Sequence, residues 1–300
     1  MLSTEQRSLT SLGFPLEQDP ESWGELQDSM PLIDNVEALR ERMRQDGYLY
    51  MRGFFKREII QSARNSLLSN LATRDIFDPA YPLADGILKE GANPDFAPEA
   101  AKGSEETKRV IFGPEIKSFY ERFLGGQIRH FDYIWVRAKG HGHGTKPHCD
   151  IVYMGRGTRD LYTAWIPYGD VSYEVGGLMI LEGSHLQADR LRNYLEMDVD
   201  TYCVNHPERA DNWKFGGALS NNPVSLRQKL GGRWLSTEFE MGDLLTFRME
   251  TVHASLDNQT HMIRLSTDTR YQLASEPVDE RWVGENPIAH GPAGKRGLIC

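Results

Sequence analysis

Cysteine is scarce in this chain of 300 residues: Cys149, Cys203 and Cys300 are odd in number and far apart. Neither a disulfide framework nor a zinc site of the Cys-x-x-Cys kind fits that spacing, and a reducing cytoplasmic compartment is the default expectation. Long apolar runs are missing as well. No stretch approaches the roughly eighteen uninterrupted apolar residues of a membrane-spanning helix. The opening MLSTEQRSLTSLGFPLEQDPESWGE is broken by charges and prolines where a secretory leader requires an apolar run. Basic charge is in deficit, with 34 Lys and Arg against 43 Asp and Glu and a net charge of -9. That balance argues against a general binder of nucleic-acid phosphates. There is no internal repeat, no low-complexity tract and no break in composition. With 39% hydrophobic residues, the chain reads as a single domain over 1–300 with a sizeable core.

What is present falls into two parts. The first, about 1–126, is a helical flank. After a polar, proline-broken arm over 1–30, VEALRERMRQ places Val36, Leu39 and Met43 at helical spacing, and GYLYMRGFF alternates toward a strand. REIIQSARNSLLSNLATR carries Ile60, Ala63, Leu67 and Leu71 at three- and four-residue intervals, an amphipathic helix whose stripe reads as core. A loop rich in Pro, Gly and Asp covers 78–103, and PEIKSFYERFLGG is a helix with a glycine C-cap. From about 127 to 280 short β-prone runs follow one another: IRHFDYIWVRA, HCDIVYMG, DLYTAWIPYGDV, GGLMILEG, GDLLTFRMETVHASL and MIRLSTDTRYQLA. Turn residues separate them and no helical crossovers intervene, which predicts a mainly β core, a sandwich or jelly roll, with flanking helices. A polar insertion over about 188–236 interrupts the series and is long enough for a lid hinged at Gly216-Gly217 and Gly231-Gly232.

Chemistry-bearing residues cluster in this second part. Read as a strand, KPHCDIVYMG projects His148 and Asp150 from one face and Cys149 from the other. Any strand with a polar face supplies such a pair, so the pattern by itself leaves a metal site and a chance polar face both open. His253 is the third candidate ligand. Two histidines and one carboxylate leave adjacent coordination positions free, the set used by non-haem Fe(II) oxygenases. Arg264 follows after the turn signal SLDNQT, so the two runs are expected to pair as antiparallel neighbours and bring Arg264 level with the site. Its guanidinium is suited to a bidentate grip on a carboxylate. Parity places Ser266, Asp268 and Arg270 on the same face as Arg264, and Ile263, Leu265, Thr267 and Tyr271 on the other. His141 and His143, flanked by glycines, read as a mobile loop, with His143 a possible contact to substrate. Arg137, Lys139, Lys146 and Arg233 are candidates for a basic mouth; Tyr133, Trp135, Trp213 and Met249 are candidates for an apolar wall.

Several stretches in order, DGYLYMRGFFKREII, PHCD, AWIPYGDVSYEVGGLMILEGSH, GDLLTFRMETVHASLDN and RLSTDTRY, resemble the phytanoyl-CoA dioxygenase (PhyH) family of Fe(II)/2-oxoglutarate-dependent oxygenases. The resemblance covers most of the chain. It implies a double-stranded β-helix, cupin-like in form, with iron on His148, Asp150 and His253. It further implies that Arg264 holds the distal carboxylate of the cosubstrate 2-oxoglutarate, with Ser266 a helper and Trp165 lining the same pocket. Ser184 and His185 then read as structural. The implied reaction consumes O2, releases succinate and CO2, and oxidises a C–H bond of a small-molecule substrate, most simply by hydroxylation. Related halogenases lack the carboxylate ligand, so Asp150 disfavours halogenation. Two other classes remain in view. One is a catalytically silent relative serving as a binding module; the other is a cupin-type metalloenzyme that uses no 2-oxoglutarate. Turnover of 2-oxoglutarate separates the oxygenase from a silent relative; cupins of the other kind usually draw more histidines from one early strand motif, whereas this chain spaces its ligands as His-x-Asp and a distant His with Arg following. No nucleic-acid or membrane partner is expected, and oligomeric state is not readable.

Overall fold

The computed structural model describes residues 8–204 and 216–298. In chain order, β1 (Thr10–Ser11) pairs with β2 (Phe14–Pro15), and β3 (Trp23–Glu25) leads to helix α1 (Val36–Asp46). Asn35 caps α1 by accepting from the Ala38 amide at 3.0 Å, and Gly47, at φ 76°, ends it. Strand β4 (Tyr48–Met51), helix α2 (Arg57–Ala72), the short strand β5 (Asp95–Phe96) and helices α3 (Glu105–Ile111) and α4 (Pro114–Leu124) complete the flank.

The second part contains β6 (Ile128–His130), β7 (Trp135–Lys139), the one-turn helix α5 (Ile151–Met154), β8 (Tyr162–Pro167) and β9 (Leu178–Leu181). Then come helix α6 (Ala188–Leu195), β10 (Thr201–Cys203), helix α7 (Pro223–Leu230) and strands β11 (Trp234–Ser236), β12 (Leu244–Arg248), β13 (His253–Ser255), β14 (Arg264–Leu273) and β15 (Arg296–Leu298). β10 and β15 pair with each other.

Two sheets organise these strands. The larger runs β4-β12-β8-β14-β7-β5, with β6 also on β14, and every pairing in it is antiparallel. The smaller runs β13-β9-β11-β3. From β8 onward the chain passes back and forth between the sheets, which makes the pair a jelly roll and not two independent layers.

Strand alternation sorts the side chains into three cores. On the outer face of the larger sheet, Leu49, Met51, Val136, Ala138, Ala164, Ile166, Leu265 and Tyr271 pack against the apolar stripes of α1 to α4. Between the sheets lie Tyr48, Tyr50, Trp165, Leu245 and Phe247 from one side and Leu178, Ile180 and Leu235 from the other. Outside the smaller sheet, Met179, Leu181 and Ala254 meet Leu191 and Leu195 of α6 and Leu226 and Leu230 of α7. Each fully buried side chain of this size contributes about 1.5–3 kcal/mol.

Four expectations need correction. KPHCDIVYMG is not a strand. Only His148 pairs, and Asp150 already has helical backbone angles (φ -67°, ψ -25°) and opens α5. Pro147 has no amide to donate, and the Cys149 amide goes to the Tyr194 hydroxyl at 3.0 Å, so no ladder propagates. GDLLTFRMETVHASL is two strands in different sheets, β12 in the larger and β13 in the smaller. Consequently β13 and β14 are not paired neighbours; they face each other across the gap between the sheets. Finally, the region over 188–236 ends in a structural strand. β11 pairs with both β9 and β3, and Trp234 is 1% exposed, so this end is part of the core.

Candidate metal centre

His148 and His253 form a bridge in which each amide donates to the other's carbonyl at 3.0 Å. Directly opposed residues of such a pair project to the same side, and the two imidazole rings lie 4.1 Å apart. Each ring is oriented by the backbone two residues before it. His148 Nδ1 is 2.7 Å from the Lys146 carbonyl and His253 Nδ1 is 3.0 Å from the Thr251 carbonyl. A carbonyl only accepts, so Nδ1 carries the proton in both and Nε2 presents its lone pair. Both Nε2 atoms point at one oxygen: Asp150 Oδ1 is 3.7 Å from that of His148 and 3.6 Å from that of His253. All three ligand atoms lie within 4.8 Å of one another. Burial, with the neighbouring His253, pushes the pKa of His148 down to about 3, and burial also lowers that of His253. Both rings are therefore neutral at neutral pH, as metal ligation requires.

Asp150 is held from behind. Its Oδ2 accepts from the Thr163 hydroxyl and, at 2.6 Å, from Arg270 Nη2, which leaves Oδ1 directed at the histidines. Burial alone would raise its pKa, but Arg270 and the two imidazoles hold the carboxyl well below the usual carboxylate range. Arg270 also donates to Asp268 at 2.7 Å, and Asp268 accepts from Arg137 Nε at 2.8 Å. The Arg270 guanidinium lies 4.2 Å over the Trp135 ring. Sequence parity put Asp268 and Arg270 on the site face but gave no sign of the Arg270–Asp150 pair. That contact depends on the register of β14 with β8, which sets Arg270 opposite Thr163.

A narrow chamber between the sheets contains His148 and His253 at one end and Arg264 at the other, with Thr163, Trp165 and Phe247 along its side. Arg264 is 2% exposed and, among the described residues, no hydrogen bond or ion pair reaches its guanidinium. Burial and then Arg137 lower its pKa to about 10, so it remains charged. Ser266 Oγ and Trp165 Nε1 are likewise buried without partners among the described residues. Such groups are costly unless something pairs with them. A dianion bearing a carboxylate for Arg264 and a chelating end for the metal would satisfy this set.

A second cavity of about 420 Å³ shares Arg137, Thr145, His148 and Arg270 with the first and also reaches Asp150. Arg137, Lys139 and Lys146, the candidates for a basic mouth, and Trp135, a candidate for an apolar wall, line it, and so do residues not anticipated: Phe96, Tyr153, Met154 and His290. Gly216 and Ala218, from the end of the polar insertion, form one wall. This wall is fixed by bonds from the Leu219 amide to the Pro147 carbonyl (2.8 Å) and from the Tyr153 hydroxyl to the Gly216 carbonyl (2.9 Å). Gly217 sits at φ 77° against the Tyr153 ring, where a Cβ would collide. Trp213 lies outside the described residues.

Other expected contributors lie elsewhere. Tyr133 stands behind Trp135, rings 4.7 Å apart, and lines neither cavity. Met249 is fully buried in the core outside the smaller sheet, because the chain after β12 turns away from the gap. Arg233 pairs with Glu182 (Nη2–Oε1 2.6 Å) and is not at the mouth. His143 is largely exposed, 3.8 Å from Asp257. Its loop is pinned, not free: Gly142 and Asn258 exchange amide–carbonyl bonds, and the Gly144 amide donates to Asp257 at 2.7 Å. Ser184 and His185 are structural. Ser184 Oγ accepts from the Val252 amide at 2.9 Å, next to His253, and His185 binds the Arg44 carbonyl at 3.0 Å.

A jelly roll with two histidines and an aspartate converging between its sheets is the form of a non-haem metal oxygenase. Residues 43–266 match the family model described as phytanoyl-CoA dioxygenase (PhyH), and the chain belongs to that family. It is similar to the 1-deoxypentalenic acid 11-beta-hydroxylase of Streptomyces exfoliatus, 28% identical over 261 residues that cover 83% of this chain and 85% of that protein. Its counterpart in Streptomyces arenae is 25% identical over 268 residues, covering 85% and 87%. In fold it is similar to the epimerase SnoN, solved with Fe3+, α-ketoglutarate and nogalamycin RO (22% identity, TM-score 0.58, covering 86% of this chain and 94% of that one). The same holds for the non-haem α-ketoglutarate-dependent carbocyclase SnoK from nogalamycin biosynthesis (18% identity, TM-score 0.59, 85% and 90%). No helix among the described residues is long and apolar enough to cross a membrane.

Proposed function

We propose that this protein is an Fe(II)- and 2-oxoglutarate-dependent dioxygenase that hydroxylates a C–H bond of a small molecule. The observation that carries the reading is the pairing of two features: three converging ligand atoms, and a buried, charged Arg264 that faces the same chamber and has no partner among the described residues. His148, Asp150 and His253 would hold the iron. Arg264 would receive the far carboxylate of 2-oxoglutarate in a two-bond fork, with Ser266 Oγ and Trp165 Nε1 as further donors. Iron with 2-oxoglutarate and O2 supplies the oxidising power, giving succinate, CO2 and a hydroxylated product. The chain's own residues position: Arg270 and Thr163 keep Asp150 directed at the metal, and Trp165 and Phe247 line the chamber. The named hydroxylase relatives support hydroxylation as the outcome, and Asp150 in the carboxylate position disfavours halogenation. The wall at Gly216 and Ala218 supports a covering role for the latter part of the insertion.

The test is Fe(II)- and O2-dependent release of succinate from 2-oxoglutarate by purified protein. Binding of iron and 2-oxoglutarate without any turnover, over a broad substrate screen, would favour a silent binding module. Iron binding with no measurable 2-oxoglutarate binding would favour a cupin-type metalloenzyme without this cosubstrate.

A further inference from the structure

The 420 Å³ cavity outside the metal ligands has a chemical character of its own. Phe96, Trp135, Tyr153 and Met154 make an apolar side. Phe96 is 42% exposed although it is a large hydrophobic residue, and its position on the edge strand β5 aims it at the mouth. Charge is distributed unevenly around the same space. The two carboxylates on the wall are both engaged: Asp95 with Lys139, and Asp150 with Arg270 and the ligand histidines. Of the cations, Arg137, Lys139 and Arg270 are paired, whereas the Lys146 ammonium has no hydrogen bond or ion pair among the described residues. Deeper in, three guanidinium groups (Arg137, Arg264, Arg270) face two carboxylates (Asp150, Asp268). A divalent metal and a dianionic cosubstrate cancel each other, so one positive charge remains behind the cavity and Lys146 adds another at its rim. This happens in a chain of net charge -9. Among the described residues, an ammonium group entering here would meet no unpaired carboxylate, whereas an anion would meet the Lys146 ammonium against a net positive background.

From these facts, and resting on the oxygenase reading above, we infer that the substrate is a compact apolar molecule bearing a single carboxylate, with Lys146 as the anion anchor and Phe96 and Trp135 against the hydrocarbon. Lys146 lies two residues before His148, and its carbonyl is the one that orients that ring. An anion held by Lys146 therefore places the attached skeleton beside the metal ligands, and C–H bonds near the reacting centre are those of the apolar body. The specificity follows from separated tasks: shape and apolar area bind the skeleton, and one charge sets which end points outward.

A matched set of probes tests this: 1-adamantanecarboxylate, 1-adamantanecarboxamide and 1-adamantylamine, titrated calorimetrically into protein under anaerobic conditions with Fe(II) and saturating 2-oxoglutarate. Saturation keeps the probe acid from the Arg264 position. The carboxylate should bind about tenfold or more tightly than the amide, the size expected of one charge-assisted contact, and the amine should be weakest. Lys146→Gln should erase the advantage of the acid while leaving the amide unchanged. Phe96→Ala should weaken acid and amide by the same factor. An acid no tighter than its amide, an advantage that survives Lys146→Gln, or no carboxylate binding at millimolar concentration would each overturn the proposal. Iron and 2-oxoglutarate binding are measured first in the same preparation, so failure of the oxygenase reading shows there and is distinct from failure of the substrate class.

Discussion

The two faces of β14 are both buried, yet they are built on opposite rules. Toward the helices, Leu265 and Tyr271 join the outer core, with the Tyr271 ring stacked 4.1 Å from Tyr120. The two threonines on that face are satisfied, Thr267 by the Tyr168 hydroxyl and Thr269 by the Phe131 carbonyl. Toward the other sheet, Arg264 has no counter-ion among the described residues, Ser266 Oγ and Arg270 Nε have no partner there, and Asp268 is held between two guanidinium groups. One face stabilises the fold. The other costs stability that a bound dianion and metal offset, which is how a buried strand comes to carry four polar residues in alternation.

The most severe way to break the inner face is His253→Ala. Removing one of three ligands should reduce Fe(II) affinity sharply and bring succinate formation to background, while circular dichroism of the metal-free protein shows the native secondary structure. Wild-type turnover with added Fe(II) would remove His253 from the ligand set. Arg264→Lys keeps a charge but loses the planar fork. The apparent KM for 2-oxoglutarate should rise by about 10–100-fold, the value of one or two charge-assisted bonds, with Fe(II) affinity unaltered; an unchanged KM would assign the clamp to another group. Arg270→Gln acts one step further out. It frees Asp150 to rotate, and Fe(II) affinity should fall by about 10–100-fold, the usual cost of losing a partner behind a ligand, while the KM for 2-oxoglutarate moves little.

The outer face should respond in the opposite sense. Leu265→Ala leaves a cavity under the helices and should lower unfolding free energy by about 2–5 kcal/mol in denaturant titration. Its kcat and KM should stay near wild type below the melting transition. If Leu265→Ala changed KM while leaving stability untouched, the division of the strand into a stabilising face and a binding face would be wrong.

Much of the site was legible because its signals are local or periodic. The alternation in RLSTDTRY fixed which side chains of β14 share a face before any partner strand was known, and helical spacing located α1, α2 and α4. What escaped depended on contacts between distant segments. The turn after His253 looked like a hairpin, but β13 pairs with β9 and β14 with β8 and β7, because each strand follows the sheet that buries its apolar side. Asp150 reached the metal position through a helical turn, not through strand alternation. Phe96 sits in a two-residue strand within a loop rich in Pro and Gly, too short to carry any period.

Arg233 offers the smallest expected effect and sharpens the same contrast. As a lone basic residue after two glycines it was a reasonable candidate for the cavity mouth, since sequence cannot tell which end of a sandwich a side chain occupies. In the fold it precedes β11, donates through Nε and Nη2 to Glu182 at 2.9 and 2.6 Å, and is absent from the lining of both cavities. Both partners are about 40% exposed, so water screens the pair and competes for its bonds. Exposed pairs of this kind contribute about 0–1 kcal/mol. Arg233→Ala should therefore lower unfolding free energy by no more than that. Iron affinity, the KM for 2-oxoglutarate and the preference for a carboxylate probe should all remain at wild-type values. Loss of that preference in Arg233→Ala, with Lys146 intact, would move the anion anchor to the far side of the smaller sheet.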